Sequence, residues 1–367
     1  MKKPYYLFVI ASLIIACSSE PHYVINGKID GADSVRFILQ KREAGQNIII
    51  DSAVAYKGSF KMKGGAVKYP EMVLLTAENP RNRITFYLEN SEINITGRLD
   101  SLFNAKITGS KTQDEYNGFL ESNKKLSEKY SNIYDEFQSA NMNGDTARVS
   151  QLRKEAAAVE NEMTTLQKDF VKNNPASYVT PTILSGLSLD LDGSELESYL
   201  NALDTAVANT PIVKDLKERA TKMKAVSVGQ KAPDFTLNDP DGNPVSLYSK
   251  VGSKLLLVDF WAGWCQPCRK ENPYLVKVYK EFNKEGFDVF GVSLDRTKDE
   301  WVKAISDDKL TWTHVSDLQY FNNTAARLYE VNSIPANFLL DESGVIIARN
   351  LREDELYNKV KEVIDRK

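Results

Sequence analysis

"VDFWAGWCQPCRKENP", residues 258–273, decides how the C-terminal part of this chain is read. It opens inside a longer apolar run, "KLLLVDFWA" (254–262), which is continuous rather than alternating. Such a run marks a strand buried on both faces. Asp259 interrupts it, and a charge on a buried strand is costly without a reason. A helical pattern then runs from Gln266 to about Asn283, so Cys265 ends the loop and opens the helix. Unpaired backbone N–H groups and the helix dipole favour an anion there. For Cys265 that anion is a thiolate, the species that attacks disulfides. Cys268 lies three residues on, on the same face, and can reach back to close a small disulfide ring. Pro267 fits the first turn, where it loses no helix hydrogen bond. A four-ligand zinc site needs two more Cys or His ligands. The chain has only His22 and His314, far apart, and a third cysteine, Cys17, at its other end. No metal or other cofactor is therefore expected. Two inert buried cysteines are the plainer alternative, and helix position, spacing and Pro267 speak against it.

The surrounding pattern gives this motif a domain. "SVGQKAPDFTLNDPDGNPVSL" (227–247) is rich in Gly and Pro and marks a boundary near Val226. Beyond the motif come a strand, "FDVFGVSL" (287–294), and helices near 298–307 and 324–330. Strands "ANFLLD" (336–341) and "VIIARN" (345–350) follow, then a helix from about 353. Alternating strands and helices ending in a hairpin predict a three-layer α/β domain.

The N-terminal half differs. From His22 to about Gly109, short β-branched and aromatic runs alternate with turn residues, and "SFKMKG" and "RITFYLEN" are apolar at every second position. This predicts an all-β domain, a small sandwich or barrel. From Lys111, apolar residues recur at steps of three and four through Phe137, and again from Leu152 to Phe170. "NMNGD" (141–145) separates two long helices, and shorter ones are expected at 178–188, 194–207 and 212–224. The aromatic stripe reads as packing, and His22 as a tether residue.

Lys2 and Lys3 precede a 12-residue apolar run (5–16) that ends at Cys17. Spanning a bilayer takes about 20 residues, so this is a signal peptide rather than a membrane span. It implies export to a compartment where a disulfide persists. With 26% charged residues and a net charge of −3, the 367-residue chain shows no basic patch, and no nucleic-acid partner is expected.

"VDFWAGWCQPCRKENP" resembles the active site of thioredoxin-fold thiol-disulfide oxidoreductases, with Asp259 on the buried strand, Trp264 before the first cysteine and Pro273 kinking the helix. "VNSIPANFLLDESG" (331–344) resembles that family's second signature. The resemblance implies a cis Pro335 facing the cysteines, with the backbone at Ile334 free to pair with a substrate. "APDFTLNDPDG" is similar to the membrane-tethered branch of ResA and TlpA, and Glu271 matches its acidic position. That branch often carries a neutral residue where Asp259 stands; here both carboxylates are present, either of which could serve as acid or base for Cys268. An exposed helix charge is the plainer reading of Glu271, and a strand-end carboxylate that of Asp259. "IIAC" (14–17) resembles a lipoprotein lipobox, which implies cleavage before Cys17 and a lipid on it.

The resulting layout is a signal peptide (1–16), a β-rich domain (17–110), a helical segment (111–226) and a thioredoxin-like domain (227–367). The resemblance implies an envelope-facing, lipid-anchored oxidoreductase. It would reduce disulfide-containing clients, apocytochrome c among those of this branch, and be re-reduced by a membrane thiol donor. Two alternatives stand beside it. One is a peroxiredoxin-like thiol peroxidase, whose P-x-x-x-[TS]-x-x-C setting residues 258–265 lack. The other is an envelope binding protein with an accessory redox domain.

Overall fold

The computed structural model describes residues 22–43, 46–79 and 81–365, and alternation of apolar and polar residues underlies most of the first set of strands. The expected signal peptide and the candidate lipidation site Cys17 lie outside the described residues. The strands are β1 (Tyr23–Asp30), β2 (Arg36–Glu43), β3 (Gln46–Val54), β4 (Ser59–Gly64), β5 (Glu71–Thr76), β6 (Arg83–Leu88), β7 (Glu92–Arg98) and β8 (Lys106–Thr108). They form two four-stranded sheets, ordered β4-β1-β7-β8 and β3-β2-β5-β6. Ile25 and Ile95 of one sheet share a core with Leu39, Leu75 and Phe86 of the other. The expected small sandwich is thus what forms. Phe60 links its halves by stacking on Phe37, centroids 4.4 Å apart. Gly27 makes room, since a Cβ there would lie 2.0 Å from the Phe60 ring.

Two long helices follow, α1 (Lys111–Met142) and α2 (Thr146–Asn173). Ser110 caps α1 by accepting from the Gln113 amide. Gly144, at φ +70°, makes the turn between them. Ile133 and Ala140 pack on Leu152 and Val159. Shorter helices come next: α3 (Thr180–Leu187), α4 (Gly193–Asn201), α5 (Thr205–Ala208) and α6 (Pro211–Ala225). The helix expected over 194–207 is two, because the Asp204 carboxylate accepts from the Ala206 amide and starts a new one.

The chain forms two compact units. One runs through Met163 and includes Ser177–Val179; the other holds Thr164–Ala176 and everything from Thr180 onward. The helices α3 to α6 therefore belong to the same unit as the α/β part.

That part contains a hairpin of β9 (Thr236–Asn238) and β10 (Pro244–Ser246), then β11 (Leu255–Trp261), α7 (Gln266–Phe282), β12 (Phe287–Ser293), α8 (Lys298–Asp308), β13 (Thr313–Val315), α9 (Thr324–Leu328), β14 (Ala336–Asp341), β15 (Ile346–Arg349) and α10 (Glu353–Asp365). The sheet order is β13-β12-β11-β14-β15. β11 runs parallel to β12 and antiparallel to β14, so it is central. All seven of its residues are buried, so both sheet faces are covered. Leu275 and Val278 of α7, Trp301 of α8, Ala325 of α9 and Val360 of α10 complete that core. This is the three-layer thioredoxin-like domain expected from the sequence.

Candidate active site

Residues 262–265 leave the C-terminal end of the central strand β11, and three polar anchors fix that loop. The Gly263 amide donates to both oxygens of Asp295, each at 3.0 Å. The Ser293 hydroxyl donates to the same carboxylate at 2.7 Å. Arg269 donates to the Gly263 carbonyl at 3.2 Å while its guanidinium grips Asp308 at the end of α8, at 2.7 Å for the nearer-to-ideal of two bonds. Burial pushes the Asp295 carboxyl above its ordinary range, opposed by these donors.

Cys265 is the N-cap of α7, and its Sγ accepts from the Cys268 amide at 3.2 Å. The two sulfurs are joined in a disulfide. Cys265 is 3% exposed and Cys268 1%, so both sulfurs are shielded in this oxidised form. The Ile334 carbonyl sits 3.8 Å from Cys265 Sγ. A disulfide sulfur has no proton to donate, so this is a contact here and an acceptor for the thiol after reduction. The Ile334–Pro335 peptide bond is cis. Trp264 stays 41% exposed, with its indole Nε1 donating to the Leu294 carbonyl at 3.3 Å.

Behind Cys268 lies a cavity of about 20 Å³, lined by Asp259, Cys268, Glu271, Pro335, Asn337 and Glu353 among others. That is room for about one water molecule. Asp259 is 8% exposed, in register with Asn337 of β14. Burial, then the neighbouring Glu271, raises its pKa to about 7, with Arg352 opposing. Glu271, one turn past Cys268, is half-buried and also raised, by burial, against the pull of Arg352. The structure thus brings Asp259, Cys268, Glu271 and Pro335 to one cavity, whose lining does not include Cys265, Trp264 or Ile334.

Arg352 had no signal in the sequence. It sits ahead of the acidic start of α10 and pairs its Nε with Glu271 Oε1 at 3.1 Å. Its other nitrogens donate to the carbonyls of Pro335 and, at 3.1 Å, Leu351. One guanidinium therefore ties the acid of α7 to the loop that faces the cysteines. Asn337 was missed too; it donates to the Leu351 carbonyl at 2.8 Å and accepts from the Leu351 amide at 3.0 Å, holding Arg352 in reach. Asp295, just past the end of β12, was missed as well. His314 is not at the site. It lies buried against Trp261 and Trp312, centroids 5.5 and 5.7 Å away, and burial lowers its pKa to about 3.

With this geometry in place, likeness to known proteins is informative. Residues 228–349 match the AhpC/TSA family, and residues 23–116 match a domain of unknown function, DUF4369. The thiol-disulfide oxidoreductase ResA of Geobacillus thermodenitrificans is 33% identical over 126 residues, 34% of this chain and 70% of that protein. The thioredoxin-like protein YneN of Bacillus subtilis is 36% identical over 127 residues, 34% of this chain and 72% of that one. Among solved structures, the thioredoxin domain of a Bacteroides vulgatus thiol-disulfide oxidoreductase is 41% identical, covering 38% of this chain and 99% of its own, with a TM-score of 0.36.

Proposed function

This chain belongs to the ResA-like family of thiol-disulfide oxidoreductases, and on that premise we propose that it reduces disulfides of exported client proteins through Cys265 and Cys268. The observation that carries this reading is the Cys265–Cys268 disulfide at the start of α7, backed by a carboxyl-lined cavity.

In the reduced protein the Cys265 thiolate is favoured by the Cys268 amide and by the positive end of the α7 dipole. It attacks one sulfur of a client disulfide. A Cys265–client bond forms, and the client's second sulfur leaves as a thiolate that takes a proton. Cys268 then gives its proton to the Asp259–Glu271 pair through the cavity. A carboxyl raised to about 7 suits that transfer near neutral pH. The Cys268 thiolate attacks Cys265 Sγ, closes the internal disulfide and releases the client dithiol. Two electrons have moved to the client, and a thiol donor at the membrane returns them. Ile334 and Pro335 line the edge where the client segment lies, with Trp264 beside it.

The site faces the envelope, and a lipid on Cys17 tethers the protein to its membrane. The signal-like start and "IIAC" support both statements. One acyl chain would hold only marginally, so a stable tether needs more than one.

The AhpC/TSA match favours a second reading, a thiol peroxidase. The positions seven and three before Cys265 are Val258 and Ala262, where that chemistry uses proline and a hydroxyl residue. One experiment separates the two. Pre-reduced protein is given insulin, with reduction followed by chain precipitation, and in parallel hydrogen peroxide. Insulin reduction that disappears in Cys265→Ser, with peroxide consumed no faster than by a free thiol, supports the reductase. Rapid peroxide loss with insulin untouched replaces it.

A further inference from the structure

The loop between β13 and α9 is built with unusual care for a surface turn. Leu318 and Tyr320 both stand in the left-handed region, at φ 58° and 57°, which residues with a side chain rarely adopt. Asp317 holds them there. Its carboxylate accepts from the Gln319 amide at 3.2 Å, the Asn323 side chain at 2.7 Å, and the Thr324 amide and hydroxyl at 2.8 and 3.0 Å. Asn323, fully buried, in turn caps α9 by accepting from the Ala325 and Ala326 amides.

This frame sets two half-buried aromatic rings against Trp264. Tyr320 and Phe321 meet edge to face at 4.7 Å. Trp264, the residue before Cys265, lies 5.1 Å from Tyr320 and 6.1 Å from Phe321. Arg296 places its guanidinium 4.1 Å from the centre of the Tyr320 ring. It forms no ion pair among the described residues and stays exposed. None of the four side chains is needed to bond the cysteines or hold the acid cavity.

We propose that Trp264, Tyr320, Phe321 and Arg296 form a docking surface for the client chain next to its disulfide, selecting a segment that carries an aromatic side chain and a carboxylate. The occupant follows from the chemistry. Anything reduced here must bring a disulfide sulfur to Cys265, so the residues flanking that cysteine pass over the Trp264 edge. The ring cluster offers apolar area to an aromatic neighbour. Arg296, already stacked and without an acid of its own, offers a fork to a carboxylate. Aromatic residues and arginine are also the types that dominate binding energy at interfaces. The inference rests on the reductase reading and adds which clients it prefers.

The test uses the full-length pre-reduced protein and two synthetic peptides, each closed by one disulfide. One carries Phe and Asp beside its cysteines, the other Ser and Lys. Single-turnover rates are measured for each. The wild type is expected to reduce the Phe/Asp peptide about 10-fold faster or more. Arg296→Glu should invert the charge preference, which a folding defect does not do. Tyr320→Ser with Phe321→Ser should bring a matched Phe-against-Ser comparison to about unity. Equal wild-type rates for the two peptides, or an Arg296→Glu ratio that stays put, overturn the docking surface and leave the reductase standing. Reduction of neither peptide overturns the reductase itself.

Discussion

Asp259 is the residue on which chemistry and stability pull in opposite directions. Burial raises its carboxyl to a pKa of about 7 against an ordinary 3.8, so it is neutral below that pH and ionised, able to take a proton, above it. Between those two values the folded protein keeps a proton that the unfolded chain has released. Stability therefore falls as pH rises through that window, by up to about 4 kcal/mol in all, and Glu271 acts in the same direction. Asp259→Asn should remove most of this slope in the oxidised protein. Urea unfolding should show the variant matching wild type at pH 4 and exceeding it at pH 8. Parallel stability curves would mean that water reaches the carboxyl. The same substitution should slow resolution by Cys268 about 10²-fold near neutral pH, the usual worth of a positioned base. Arg352 lowers both carboxyls, so Arg352→Gln should move the pH profile of the resolving step upward by roughly one unit. A stopped-flow profile that does not move would leave Arg352 as a fastener of the Pro335 loop and nothing more.

At the level of elements, the loop from β11 into α7 is the most exacting piece. A Cβ on Gly263 would sit 2.9 Å from the Ala304 Cβ and 3.2 Å from the Glu300 carbonyl, both on α8. Gly263→Ala should destabilise the protein by about 1–3 kcal/mol, as overpacking does, and lower the urea midpoint with little change in slope. An unchanged midpoint would show that α8 can move aside. Elements were legible where the pattern was long or unbroken. β11 shows as a continuous apolar run, and α1 and α2 as extended three-four periodicities. The three-residue strands β8, β9, β10 and β13 were not, since so short a stretch has no periodicity to read. The break between α4 and α5 turned on the Asp204 side chain, which sequence spacing alone did not single out.

Across the whole molecule, the sequence exposed the two cysteines, both carboxyls and Pro335 because each belongs to a local motif. It did not expose Arg352, Asp295 or the Tyr320–Phe321 rings. These reach the site through tertiary contacts from other elements, and nothing in their own neighbourhood announces it. The proposed lipid anchor belongs to this scale too. Cys17→Ala should leave the protein unprocessed or released from the membrane fraction, and mass spectrometry of the wild-type N-terminus should find lipid on Cys17. A mature wild-type protein without it would contradict the tether.

The central claim is that Cys265 attacks and Cys268 resolves, and covalent trapping tests it most directly. Cys265→Ser and Cys268→Ser are each expressed from the full chain, free thiols are blocked by acid and alkylation, and extracts are run on non-reducing gels. Cys268→Ser should accumulate mixed disulfides with clients through Cys265, because attack proceeds and resolution cannot. Cys265→Ser should accumulate far fewer, its remaining sulfur facing the carboxyl cavity. Equal trapping by the two variants, or trapping by neither, would contradict the assignment.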